Sequence, residues 1–313
     1  MITLLLRKKI PAAVIATYLL LSGCSFSNTE RQYWENAESI SLKEYQRQKI
    51  EDSTVLIKRE FQYGSGVIIA KAKNRDKQTY AYYVLTARHS VEKTDKSEIK
   101  ILDDDYSFAS SCSNKHILKR ESNAEAACNS VIYSLYTNDG KQHLIDYANI
   151  IRYSKQLDLA LVRFESKNDY RVASLASKQQ IEPNSTIYVS GYRGCDRPEL
   201  DLENKYELTT GRIKKATRRS RSVLYTNFTI GGMSGGGVFN EQGKLIAIHQ
   251  RADKKKQYNP QDCFPLESQF NDLGNNWGTA VAEFLEQKEI PLEVKRNYRE
   301  CTGLSANSKC PRS

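Results

Sequence analysis

The chain has 313 residues, room for one large domain or two small ones with ample apolar core. Its hydrophobic content of 39% suits a globular protein and excludes a polytopic membrane protein. A formal net charge of +10 favours anionic partners (acidic polypeptides, anionic headgroups or nucleic acid) without choosing among them.

The first segment reads as a leader. Arg7, Lys8 and Lys9 precede an apolar run from Ile10 to Leu21, too short to span a bilayer comfortably and the right size for a signal-peptide core. It ends in Leu21-Ser22-Gly23-Cys24, which resembles the lipobox of bacterial lipoproteins. That resemblance implies removal of residues 1–23, lipidation of Cys24, export, and a lipid anchor holding the protein at a membrane in the periplasm or at the cell surface. Ser25 then fits outer-membrane sorting if the envelope has two membranes. Residues 24–50 are polar and read as a tether with a short helix at its end. Export makes disulfides the expectation for the other six cysteines, Cys112, Cys128, Cys195, Cys263, Cys301 and Cys310. Spacing does not select a pairing, although Cys112 and Cys128 flank a long polar insertion. No C-x-x-C pair occurs and the four histidines are scattered, so neither a metal site nor another cofactor is expected.

From about residue 51 short strand signals dominate. "STVLIKRE", "GSGVIIAKA" and "TYAYYVLTA" are β-branched or aromatic runs bounded by polar or glycine clusters. "VIYSLYTNDGKQHLIDY" reads as a hairpin turning at Asn138-Asp139-Gly140. "DLALVRFE", "STIYVSGYRG", "YELTTGRIKKAT" and "SVLYTNFTI" continue the pattern, and "GGGVFNEQGKLIAIHQR" is a second hairpin turning at Gln242-Gly243. Only "GTAVAEFLEQ" looks helical, and its first residues suit a strand equally well. Many short strands at this spacing predict an all-β barrel or sandwich, with residues 51–290 long enough for two barrels and 291–313 a tail.

"TIGGMSGGGVFN" places Ser234 in a glycine-rich turn, where a serine is ordinarily only a turn residue. As a nucleophile it needs an imidazole to remove its proton. His89 follows the apolar strand in "YYVLTARHSVE", and Asp158 opens the strand of "KQLDLALVRF", a setting for a buried carboxylate that orients the imidazole. The order His89, Asp158, Ser234 and the motifs "LTARH", "DLALV" and "GGMSGGG" resemble the chymotrypsin-like serine proteases. "GSGVII" and "TTGRI" resemble further strands of bacterial members, so the similarity runs from about residue 53 to 290. In style it is similar to the high-temperature-requirement proteases and the glutamyl endopeptidases.

The resemblance implies two six-stranded antiparallel β-barrels with a short C-terminal helix and a cleft site. It implies a serine endopeptidase in which Ser234 attacks, His89 is general base then acid, Asp158 orients His89, and the Gly232 and Ser234 amides form the oxyanion hole. Met233 stands where zymogens of this type carry an Asp, so activation through a freed N-terminal amine is not expected. Gly237 stands where proline is usual, implying a more mobile loop. Thr229 and His249, at the offsets of the P1 pocket walls, resemble the acid-reading residues of glutamyl endopeptidases. With Arg251 they imply acidic protein or peptide substrates. The competing readings are a catalytically silent barrel that binds a partner, and nucleic-acid binding through "RIKKATRRSRS". The latter is not the expected partner, because no aromatic residue interleaves with those charges.

Overall fold

β-Branched and aromatic runs become strands in the order in which the sequence predicts them. The computed structural model describes residues 42–59, 62–74, 76–91, 133–145, 149–177, 181–194, 206–217, 221–252, 275–287 and 290–302. The leader, Cys24, the 92–132 insertion and the disulfide candidates other than Cys301 lie outside the described residues.

Helix α1 (Glu44–Ser53) leads into β1 (Thr54–Arg59), β2 (Gln62–Asn74) and β3 (Thr79–Ala87). Then come β4 (Tyr133–Tyr136), β5 (Gln142–Ile145), β6 (Ile150–Ser154) and β7 (Leu159–Ser166). These seven strands form one sheet in the order β5-β4-β1-β2-β3-β7-β6. The second sheet holds β8 (Ser174–Leu175), β9 (Thr186–Tyr192), β10 (Tyr206–Thr217), β11 (Ser222–Tyr225), β12 (Gly237–Asn240), β13 (Lys244–Arg251) and β14 (Asn276–Ala280). Its order is β12-β9-β10-β11-β14-β13-β8, and a further β12–β13 pairing closes six of them into a ring with β8 added in parallel. The fold is therefore a double-barrel β architecture. It departs from two equal six-stranded barrels because, among the described residues, the first sheet is a seven-stranded half-barrel with β5 and β6 at its edges.

Alternate residues of the central strands feed different cores. Tyr82 and Val84 of β3 join Ala160 and Val162 of β7 inside the half-barrel. Tyr83 and Leu85 join Leu159 and Leu161 in a layer that also takes Tyr188, Phe239 and Ile248 from the second sheet. Both faces of these strands are buried, which is why "YYVLTA" and "LALV" are continuous apolar runs. The ring encloses its own core around Val189, Val223, Tyr225, Met233 and Val238.

Two helices follow β14 among the described residues. Residues 278–287 combine the two alternatives left by the sequence: β14 runs to Ala280 and α2 (Val281–Leu285) follows. The region expected to be a tail instead contains α3 (Leu292–Thr302), whose Val294 and Tyr298 pack into the layer between the sheets. Asn297 Nδ2 donates to the Ile69 carbonyl at 2.5 Å, fastening α3 to β2.

His143, on β5, lies 4.5 Å from the Phe164 ring, with its Nε2 3.3 Å from the Tyr170 hydroxyl. Burial lowers its pKa, and the nearby Asp139 only partly offsets this. An imidazole harder to protonate folded than unfolded leaves stability intact above its unfolded pKa, about 6.5, and loses it as pH falls below that value. Urea midpoints from pH 7.5 to 5 should therefore decline more steeply for the parent than for His143→Gln. Parallel declines would contradict this.

Candidate active site

β3 delivers His89. The strand ends at Ala87 and the chain turns through a single 3-10 turn, Arg88–Ser90, which lifts the imidazole out of the sheet. The neighbouring strand β7 delivers Asp158, since Ala87 pairs with Leu159. The Arg88 amide donates to the Asp158 carbonyl at 2.9 Å, locking the two strand ends together. His89 Nδ1 then lies 2.7 Å from Asp158 Oδ2, and the His89 amide donates to Oδ1 at 3.2 Å. The Arg88 guanidinium stands 3.6 Å from Oδ1. Asp158 is not the buried strand residue expected. It closes a turn with φ +50° and its side chain remains 29% exposed. Aspartate tolerates that left-handed geometry better than most residues.

The second sheet delivers Ser234 from the turn before β12. The Met233 amide donates to Ile230, the Gly235 amide to His249, and the Gly236 amide to Met233. Among the described residues the Gly232 and Ser234 amides have no protein acceptor. The Gly231 carbonyl accepts from the Gly194 amide at 2.8 Å. Because a trans peptide points its N–H opposite its C=O, this bond turns the Gly232 amide away from Gly194. Gly232 has φ +91° and its space is filled by the Gly194 backbone and the Tyr192 carbonyl, so no side chain fits.

Ser65, on β2, ties the serine turn to the first sheet. Its amide donates to the Ser234 carbonyl at 2.7 Å, and its hydroxyl donates to the Gly232 carbonyl while accepting from the Tyr192 amide, both at 2.8 Å. The motif "GSGVII" carries no local signal of this role. The Ser234 hydroxyl itself donates to the Gln250 carbonyl at 3.0 Å. The Gln250 amide group reaches the carbonyls of Leu157 and, at 3.3 Å, Asp158. Gln250 thus joins the serine to the aspartate turn, a second connection the motifs did not signal.

His89, Asp158 and Ser234 line one cavity of about 480 Å³ together with His249, Arg251 and Trp277. His249 is buried, and its Nδ1 lies 2.6 Å from the Tyr225 hydroxyl. Arg251 is exposed, its guanidinium carbon 5.1 Å above the Trp277 ring centroid. Thr229 is not among the residues lining this cavity. It is buried and its hydroxyl donates to Asn276 Oδ1 at 2.7 Å, which uses its only proton inside the sheet. Met233 fills the ring core. Gly237 pairs with Ile248 in β12, so this position is held in a strand and is not the loose loop expected.

The glutamyl endopeptidases of Staphylococcus aureus strains MW2 and MSSA476 are each 31% identical to this chain over 108 residues. That stretch is 32% of this chain and 31% and 30% of theirs, so it spans about a third of the length of these relatives. Among solved structures, Rv3671c from M. tuberculosis H37Rv in an inactive form has a TM-score of 0.47 at 13% identity, covering 79% of this chain and 89% of that one. A serine endoprotease from Yersinia pestis has a TM-score of 0.49 at 14% identity, covering 79% and 65%. A family model describing the trypsin-like peptidase domain matches residues 64–248, more than half of the chain and the span from the β2 glycines to the strand that ends beside Ser234. The chain belongs to the trypsin-like peptidase domain family.

Proposed function

We propose that the protein is a serine endopeptidase that hydrolyses peptide bonds through His89, Asp158 and Ser234. The observation that carries this reading is the 2.7 Å contact between His89 Nδ1 and Asp158 Oδ2 in the cavity that Ser234 also lines. Asp158 accepts from Nδ1–H, so the neutral imidazole has a basic Nε2. A rotamer change at Ser234 redirects its hydroxyl from the Gln250 carbonyl to that nitrogen. Ser234 Oγ attacks the scissile carbonyl as His89 takes its proton. The Gly232 and Ser234 amides, which have no acceptor among the described residues, receive the developing oxyanion. His89 then protonates the leaving amine, and water attacks the acyl-enzyme by the reverse proton path. The alternative, a catalytically silent binding barrel, has one observation in its favour: at rest Ser234 donates to Gln250 and not to His89.

The finer part of the reading is a preference for Glu or Asp at P1. With the Thr229 hydroxyl spent on Asn276, the preference rests on His249. Burial pushes the Tyr225 phenol far up, so it keeps its proton, and in the proposed tautomer it donates that proton to His249 Nδ1. The imidazole then carries its own proton on Nε2. A bond from that N–H to a carboxylate is about twice as strong as one to an amide. The staphylococcal relatives are named for glutamyl specificity, which supports the same preference. Peptides differing only in Glu or Gln at P1 test it, with Ser234→Ala as blank: Glu should be favoured by about tenfold. Tyr225→Phe removes the donor that sets the tautomer and should lower that ratio about fivefold while Ser234 stays reactive. Equal cleavage of both peptides by the parent would overturn the preference.

Export and lipidation at Cys24 complete the proposal, supported by the basic residues, apolar run and cysteine of the leader. Mass spectrometry of the mature N-terminus checks this. A mature chain starting at a lipid-modified Cys24 is the expected result, and an unlipidated start elsewhere contradicts it.

A further inference from the structure

The exposed face of the ring carries an ordered row of side chains that leads away from the cavity. Lys215 of β10 lies opposite Leu224 of β11, Leu224 opposite Trp277 of β14, and Trp277 opposite Arg251 of β13. Directly opposed residues of antiparallel strands project from the same face. Their neighbours Ile213, Val223 and Tyr225 are buried in the ring core, so the row stands on the outside. Lys215 and Arg251 are exposed, and Leu224 and Trp277 are half-buried between them. Trp277 and Arg251 also line the cavity with Ser234, so one end of the row belongs to the active site.

Among the described cations near this face, Lys215 and Arg251 are set apart by having no side-chain hydrogen-bond or ion-pair partner. Arg221 lies 3.3 Å from Glu283, Lys214 donates to Asn275 at 3.4 Å, and Arg212 donates to the Asn184 carbonyl at 3.3 Å. Among the described residues neither Lys215 nor Arg251 meets a carboxylate. Arg251 is steadied over the Trp277 ring, which keeps its guanidinium above the sheet. Strands about 4.8 Å apart put the backbones of the two cationic residues roughly 14 Å from each other, a span that an extended peptide covers in about four residues.

We propose that Arg251, Trp277, Leu224 and Lys215 form a substrate-binding track for acidic polypeptides that starts at the active-site cavity and leads away from it. The two cations take carboxylates about four residues apart, and an apolar substrate side chain sits on Trp277 and Leu224 between them. A cation pair split by an apolar floor fits such a segment better than a uniformly charged phosphate backbone, which would need cations in succession. As a cleavage determinant the track rests on the endopeptidase reading, but its binding test does not.

The test uses the full chain carrying Ser234→Ala and fluorescein-labelled decapeptides with alanine at P1. One peptide has two glutamates four residues apart around a leucine, the other has glutamines there, and anisotropy is read at about 0.1 M salt. The glutamate peptide should bind about fivefold tighter, and Arg251→Gln and Lys215→Gln should each cut that preference two- to threefold. Lys73→Gln, which removes an exposed charge from the first sheet, should leave it unchanged. Equal binding of the two peptides overturns the proposal. So does a preference that survives both row variants, an equal loss with Lys73→Gln, or tighter binding of a single-stranded oligonucleotide of the same length. Because the nucleophile is absent and P1 is constant, neither a silent Ser234 nor the lack of a P1 preference affects the result.

Discussion

Asp158→Asn is expected to lower kcat by about 10⁴-fold while leaving the fold and peptide binding close to parental. The carboxylate accepts two hydrogen bonds from its neighbour, one from the His89 amide at Oδ1 and one from Nδ1–H at Oδ2. An asparagine has one oxygen and one NH₂ to offer those two positions. The backbone amide cannot change its donor character, so the oxygen stays there and the NH₂ turns to Nδ1. Nδ1 must then be bare, the ring proton moves to Nε2, and the imidazole can no longer take the proton of Ser234. Steady-state kinetics on a peptide that the parent cleaves, with circular dichroism as the fold check, measures this. A loss of less than tenfold would show that His89 is not held by Asp158 in the reacting enzyme.

Gly232→Ala is expected to reduce kcat by about 10²- to 10³-fold, the scale of losing an oxyanion donor. The residue sits at φ +91°, and a Cβ would enter the backbone of Gly194 and the carbonyl of Tyr192. Those neighbours are held by the Gly194–Gly231 and Tyr192–Ser65 bonds, so the turn must give way. When it does, the Gly231 carbonyl loses its partner and the Gly232 amide loses its aim. The melting temperature should also fall by about 5–10 °C, because the turn is part of the contact between the sheets. A variant with parental kcat would mean that the Gly232 amide plays no part in the chemistry.

What could be read from the sequence divides along physical lines. His89, Asp158 and Ser234 were legible because each lies at a strand end flanked by strongly patterned residues. Strand pairing across β3 and β7, together with the serine turn, brings them to one cavity. The two hairpins were legible because Gly140 and Gly243 adopt the positive φ that their turns require. Helix α3 was not, because among its described side chains only Val294 and Tyr298 are buried, one helical turn apart, and "LEVKRNYRECT" reads as a charged tail. The engagement of Thr229 was not legible, because an offset from Ser234 cannot show that Asn276 accepts its hydroxyl proton. Ser65, Gln250 and Tyr225 escaped notice for a related reason. Each acts through a hydrogen bond to a residue distant in sequence, and no local pattern encodes the partner.

The central claim is that Ser234 is a nucleophile activated by His89 and Asp158. It is tested most directly by treating the folded full-length protein with a fluorophosphonate probe and mapping the adduct by mass spectrometry. The account predicts a single adduct on Ser234, absent from Ser234→Ala and formed orders of magnitude more slowly in His89→Ala and Asp158→Asn. Folded parental protein that takes up no label, or that labels at Ser234 equally fast in all three backgrounds with the serine intact, would contradict it.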